Sequence, residues 1–118
     1  MKPPKTLRVS NQIDGLTPTD RALMTRCRCI GIVYAQNHGT VTAAHVGRIE
    51  PAFHDIHRKK QGQLFRMKKV FESTGATTTN TYGKSKGHLI RVWRIRDNVA
   101  ASEYLREANL ELPNINLI

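Results

Sequence analysis

This sequence is short of acids and of aromatic rings. Nine Asp and Glu side chains stand against nineteen Lys and Arg in 118 residues, for a formal charge of +10, and only 6% of the residues are aromatic. The few acids form no paired constellation for general acid/base or two-metal chemistry, so the chain reads as a non-enzyme without cofactor or metal. A single-strand binder stacks bases on rings in series, and too few rings are present for that; Tyr82 is the one expected near a nucleic acid. The two cysteines, Cys27 and Cys29, are separated by about 200° on a helix, which argues against a disulfide or a shared metal and predicts one core thiol and one partly exposed. The longest uncharged apolar run, Cys29 to Ala35, cannot span a bilayer, and Met1 to Gln12 lacks the apolar stretch of a signal peptide. A soluble protein is expected, in the cytoplasm, on the nucleoid, or in a host cell's cytoplasm if phage-encoded.

What the chain does have is positive charge in one place. Between His54 and Arg96 lie eleven of the nineteen basic side chains, with only Asp55 and Glu72 to oppose them. Residues 97 to 118 carry Arg106 against Asp97, Glu103, Glu107 and Glu111, so the C-terminal segment is expected to avoid phosphates. A field concentrated on a few elements is the electrostatic footprint of a nucleic-acid binder. The length allows one compact domain with tails.

Residues 1 to 16, with Pro3, Pro4 and Gly15, read as a flexible arm. Thr17 as N-cap, Pro18 at the first helical position and Asp20 open a helix that runs to about Asn37 and stops at Gly39. Its apolar stripe is Leu23, Cys27, Ile30 and Tyr34, widened by Met24 and Val33, with Arg21, Arg26 and Arg28 expected off it. Thr40 and Val41 predict a short strand; Thr42 caps a second helix, Ala43 to Ile49, ended by Glu50 and Pro51. Ala52 to Lys60 reads as a helical turn or two, and Gln61 to Ser73 as a third helix burying Leu64, Met67, Val70 and Phe71, with Gly75 as its stop. A hairpin follows, from strands Ala76 to Asn80 and His88 to Arg96 around a basic tip. Alternation does not choose the buried face of the second strand, since Leu89, Trp93 and Ile95 share one face and Ile90 and Val92 the other; cover on both sides is expected. Ala100 to Asn109 forms a last helix before the apolar tail Leu110, Leu112, Ile115, Leu117 and Ile118.

The order helix, short strand, helix, basic helix, two-stranded hairpin resembles a winged helix-turn-helix domain over residues 17 to 96. Thr40 to Val46 is similar to the entry of the positioning helix, Gln63 to Phe71 with Gly75-Ala76 to the recognition helix and its exit, and Gly83 to Gly87 to the tip of the wing. The linker from Glu50 to Lys60 is longer than the family's tight turn. The resemblance implies an α+β, mostly α fold: a three-helix core, a two-stranded wing and a C-terminal helix with tail. It implies a sequence-specific double-stranded DNA-binding protein, a transcriptional regulator of repressor type acting by operator occupancy; the compact basic format suits a phage or plasmid protein. An RNA-binding or nucleoprotein assembly factor, or a replication or recombination accessory protein, would use the same basic face.

Independently of any family, a groove about 12 Å wide admits one helix flanked by positive charge. Arg58, Lys59, Lys60, Gln63, Arg66, Lys68 and Lys69 supply it; Gln63 and Arg66 suit adenine and guanine edges, while Lys84, Lys86 and Arg91 with Tyr82 serve on the hairpin. Gly83-Lys84-Ser85-Lys86-Gly87 matches a hydrolase elbow as a string but lies in a hairpin. As a phosphate loop it fails at Thr78, where glycine is needed. His45, His54 and His57 have no carboxylate or thiolate at a telling interval, so exposed or phosphate-directed histidines are expected rather than a metal site. Residues 97 to 118 either pack back on the first helix or make a two-fold homodimer.

Overall fold

The computed structural model describes residues 17–80 and 87–113. The arm over residues 1 to 16, the hairpin-tip residues Tyr82, Lys84 and Lys86, and the tail residues Ile115, Leu117 and Ile118 lie outside them. The fold is α+β and mostly helical: α1 (Pro18–His38), α2 (Ala43–Ile49), a 3-10 turn (Pro51–Asp55), α3 (Arg58–Gln61), β1 (Phe71–Thr79), β2 (Leu89–Ile95) and α4 (Asn98–Ala108). None of the described helices is long and apolar enough to cross a membrane.

Local chemistry sets the first two helices where the sequence predicts them. Thr17 Oγ1 accepts the Asp20 N–H at 3.1 Å, Pro18 occupies the first turn, and Gly39, at φ +89°, ends α1 in a conformation that a side chain would strain. In α2 the cap is reciprocal: the Thr42 hydroxyl accepts from the His45 N–H, and the Thr42 N–H donates to His45 Nδ1 at 3.0 Å.

The expected one-sided burial of α1 is overturned. Against it pack α2, α4, β2 and the 3-10 turn, and the helix is buried from Cys27 to Ile32 without a break. Both cysteines are therefore core residues, their thiols pushed up to about 12, by burial first. Arg28, expected on the outside, is 0% exposed. Gly31 makes room for the ring packing beside it: a Cβ there would stand 3.2 Å from Phe65. Phe65 in turn meets Phe71 edge-on at 5.0 Å and stacks on Trp93 at 5.5 Å.

Nor does the helix expected over Gln61 to Ser73 form. The α-helix ends at Gln61, the chain continues in tight i→i+3 turns to Arg66, and by Phe71 it is extended in β1. Arg28 supplies the physical reason. Its Nε donates to the Leu64 carbonyl at 3.1 Å and its Nη2 to the Gln63 carbonyl at 2.7 Å, two acceptors that a continuing helix would direct along its own axis. The apolar residues keep their places inside, because Leu64, Phe65, Met67, Val70 and Phe71 are all buried in the turn form.

Strands β1 and β2 pair antiparallel from Phe71↔Ile95 to Thr79↔Leu89, with an irregularity between Ser73 and Thr77 where Gly75 takes φ +83°. Val41 bridges Trp93 from the other side, through two backbone hydrogen bonds of 2.9 Å. That bridge is the short strand predicted at Thr40 and Val41, reduced to one residue. Trp93 and Ile95 pack on the core, while Ile90 and Val92 line a cleft against α2, so both faces of β2 are half-covered within one chain. α4 begins two residues before its expected start because the Asp97 carboxylate caps it, accepting from the Val99 and Ala100 N–H groups. It packs on α1 with Ala101 and Tyr104 buried, and Arg26 Nη1 ties the following segment down through the Glu111 carbonyl at 2.9 Å.

Candidate nucleic-acid interface

The basic residues sit on a stretch held from behind by polar anchors. Gln61 Nε2 donates to the carbonyls of Ile56 (2.8 Å) and Phe53 (3.3 Å), rooting α3 on the 3-10 turn through its buried Phe53, and His57 Nδ1 accepts the Lys59 N–H at 3.2 Å. With the inner side so fixed, Arg58 and Lys59 are exposed and Lys60 is half-buried. Gln63 lies in the turn beyond, half-buried, its carbonyl held by Arg28; Arg66 follows, exposed. Gln63 and Arg66 therefore do not share an exposed helix face, as the sequence predicts they would.

Lys68 and Lys69 occupy a second turn, pinned to the end of β2 by Arg96, whose backbone N–H donates to the Val70 carbonyl at 2.7 Å and whose Nη1 donates to the Lys68 carbonyl at 3.1 Å. Lys68, Lys69 and Arg96 border an open cleft of about 410 Å³ with Asp97, Val99, Ala100 and Glu103 at the start of α4. On the hairpin, Arg91 is exposed opposite Thr77, whereas Arg94 donates to Glu72 at 2.7 Å. Both groups of that pair are solvent-exposed, so its effect is mainly to neutralise one of the two acids in the basic segment. The structure thus divides the expected site residues into α3 with Arg66, the Lys68 and Lys69 turn, and the hairpin with Arg91.

Two features of the surface were not assigned from sequence. Arg94 and Arg96, counted in the basic segment but not placed in the interface, are both exposed, at the end of β2 and just after it, and their positive charge was the available signal. A cleft of about 330 Å³ between α2 and the hairpin, lined among others by Thr42, His45, Arg48, Thr78, Ile90 and Val92, had none, because it depends on how two distant segments meet. His45 in this cleft stacks on Tyr34 at 4.4 Å, and burial first, then the neighbouring Arg48 and His38, hold its pKa below 6.5. Its acceptor work at the cap of α2 requires that neutral form. Among the described residues, no group of three His, Cys, Asp or Glu comes together that would hold a metal. Comparison of the chain with protein-family models, with curated proteins and with solved structures finds no match.

Proposed function

We propose that the protein binds double-stranded DNA as a winged helix-turn-helix module and regulates transcription by occupying its site. The observation that carries this reading is the exposed basic stretch from Arg58 through Lys59 and Arg66 to Lys69, next to a hairpin bearing Arg91, with Glu72 already neutralised by Arg94. The topology supports the same reading. Val41 bridges β2, and β2 pairs with β1, so α1, a one-residue strand, α2, α3 and the hairpin follow in the order of a winged domain. Arg58, Lys59, Lys60 and Arg66 enter or flank the major groove from α3 and the turn after it; Arg91 on β2 contacts phosphate. Lys68 and Lys69 add to the field from the side that faces α4.

The reading is tested by titrating labelled duplex DNA fragments against the protein at several salt concentrations, with duplex RNA and single-stranded DNA as competitors. Selection of bound fragments from a genome library then yields the recognised sequence. Preference for duplex DNA and enrichment of a common sequence are expected. Equal binding of duplex RNA would instead favour a ribonucleoprotein factor.

A further inference from the structure

The outer face of α4 repeats its own chemistry in reverse. Val99, Glu103 and Arg106 fall within about 60° of one another around the helix, opposite the side buried on α1, and Leu110 follows directly after the Asn109 cap. Val99 is 68% exposed and Leu110 42%, two of only three large hydrophobic side chains so exposed among the described residues. Between them stand Glu103 and Arg106, one acid and one base, neither with an ion-pair partner among the described residues. An antiparallel copy of the same helix, related by a two-fold axis between residues 104 and 105, sets Val99 opposite Leu110, and Glu103 opposite Arg106, each contact occurring twice. Such self-complementarity is what an isologous interface requires.

The surroundings extend the match. The cleft at the start of α4 is lined by Lys68, Lys69 and Arg96 against Asp97 and Glu103, beside Val99, so its charge is positive on balance. In the antiparallel arrangement the end of the second copy's helix approaches that cleft, bringing Leu110 together with the acids Glu107 and Glu111. The cations of the cleft then offset the negative charge that two acidic C-terminal segments would otherwise bring into contact.

We infer that the outer face of α4 is a homodimer interface whose occupant is a second copy of this chain, packed antiparallel through Val99, Glu103, Arg106 and Leu110. One helix of eleven residues and a flanking cleft make a small contact, so the dimer is weak and concentration-dependent. Its existence does not depend on DNA binding, and it is measured without DNA.

The experiment uses Glu103→Arg and Arg106→Glu in the full chain, with sedimentation velocity as the readout and circular dichroism as a check on folding. In a homodimer of either variant, like charges meet twice. In a mixed dimer of the two variants, the arginine introduced at position 103 of one copy faces the glutamate introduced at position 106 of the other, and the native Arg106 of the first faces the native Glu103 of the second. The parent chain is expected to dimerise with rising concentration up to the millimolar range. Each variant alone should be weakened at least tenfold, and an equimolar mixture should regain association with both variants present in one species. This rescue separates a contact between chains from an effect of the altered charge within one helix, which mixing two chains does not restore. A parent monomeric at 1 mM, single variants that associate like the parent, or a mixture that stays monomeric would each overturn the inference.

Discussion

The guanidinium of Arg28 donates from Nη2 to the main-chain carbonyl of Gln63 at 2.7 Å, so that a residue buried in α1 decides the backbone of the segment carrying Arg66. Nε makes the companion bond to the Leu64 carbonyl, and the third nitrogen side faces Tyr104, whose buried hydroxyl has its pKa pushed up to about 12, by burial first. No carboxylate touches the guanidinium among the described residues. Burial accordingly drives the arginine's own pKa down from its ordinary value.

Replacing Arg28 with Met fills the space but leaves the buried Leu64 carbonyl without its donor and the half-buried Gln63 carbonyl with the Arg66 N–H alone. Hydrogen bonds from a charged donor contribute about 1.5 to 3 kcal/mol each, partly offset here by the relief of burying a cation, so a net loss of about 2 to 4 kcal/mol is expected. Denaturant unfolding measures it. Hydrogen exchange should show protection falling first over residues 63 to 70, and a variant as stable as the parent would show that the clamp contributes nothing.

At Gly31 a Cβ alone would lie 3.2 Å from Phe65 Cε1 and 3.7 Å from Phe71. Gly31→Val adds two further methyl groups on the side where Phe65 stacks on Trp93, and overpacking of this kind costs about 1 to 3 kcal/mol. The melting temperature should drop, with loss of the near-ultraviolet signal of Trp93.

Stability should fall in mild acid because of His45. Its folded pKa lies below the 6.5 of a free imidazole, so the unfolded chain takes up the proton more readily. The His45 contribution is complete above about pH 6.5 and is lost as pH falls through the folded value, where a protonated Nδ1 can no longer accept the Thr42 N–H. His45→Gln keeps an acceptor at the same helix position without a titrating group, so thermal melts across pH 5 to 8 should be flatter for this variant than for the parent.

DNA affinity should decline with salt at a log-log slope of about −0.9 for each phosphate neutralised. Arg66→Ala is expected to weaken the selected site by about 1 to 3 kcal/mol and to relax preference at one base pair, whereas Arg91→Ala should weaken all duplexes alike and shallow the salt slope by about 1. Fluorescence anisotropy on a library of single-base variants separates the two. Identical profiles for both variants would remove the assignment of Arg66 to base reading.

The sequence by itself determined what local chemistry can decide. Thr17, Pro18 and Gly39 bound α1, Thr42 and Pro51 bound α2, and the turn at Gly87 with the β-branched runs marked a hairpin; each signal acts within a few residues of its effect. The separation of charge was equally legible, since it needs only counting. Tertiary structure decided the rest. Whether Leu64, Met67, Val70 and Phe71 bury themselves from a helix or from a turn leading into a strand depends on what lies across from Gln63 and Leu64. That partner is Arg28, 35 residues away from Gln63, which the helical wheel placed outside. The wheel assumes one buried side, and α1 has neighbours all round it, so Cys29, off the apolar stripe, and Arg28, expected outside, both became core. Position along the chain set the composition of the basic surface; only the fold could set which of those cations face outward together.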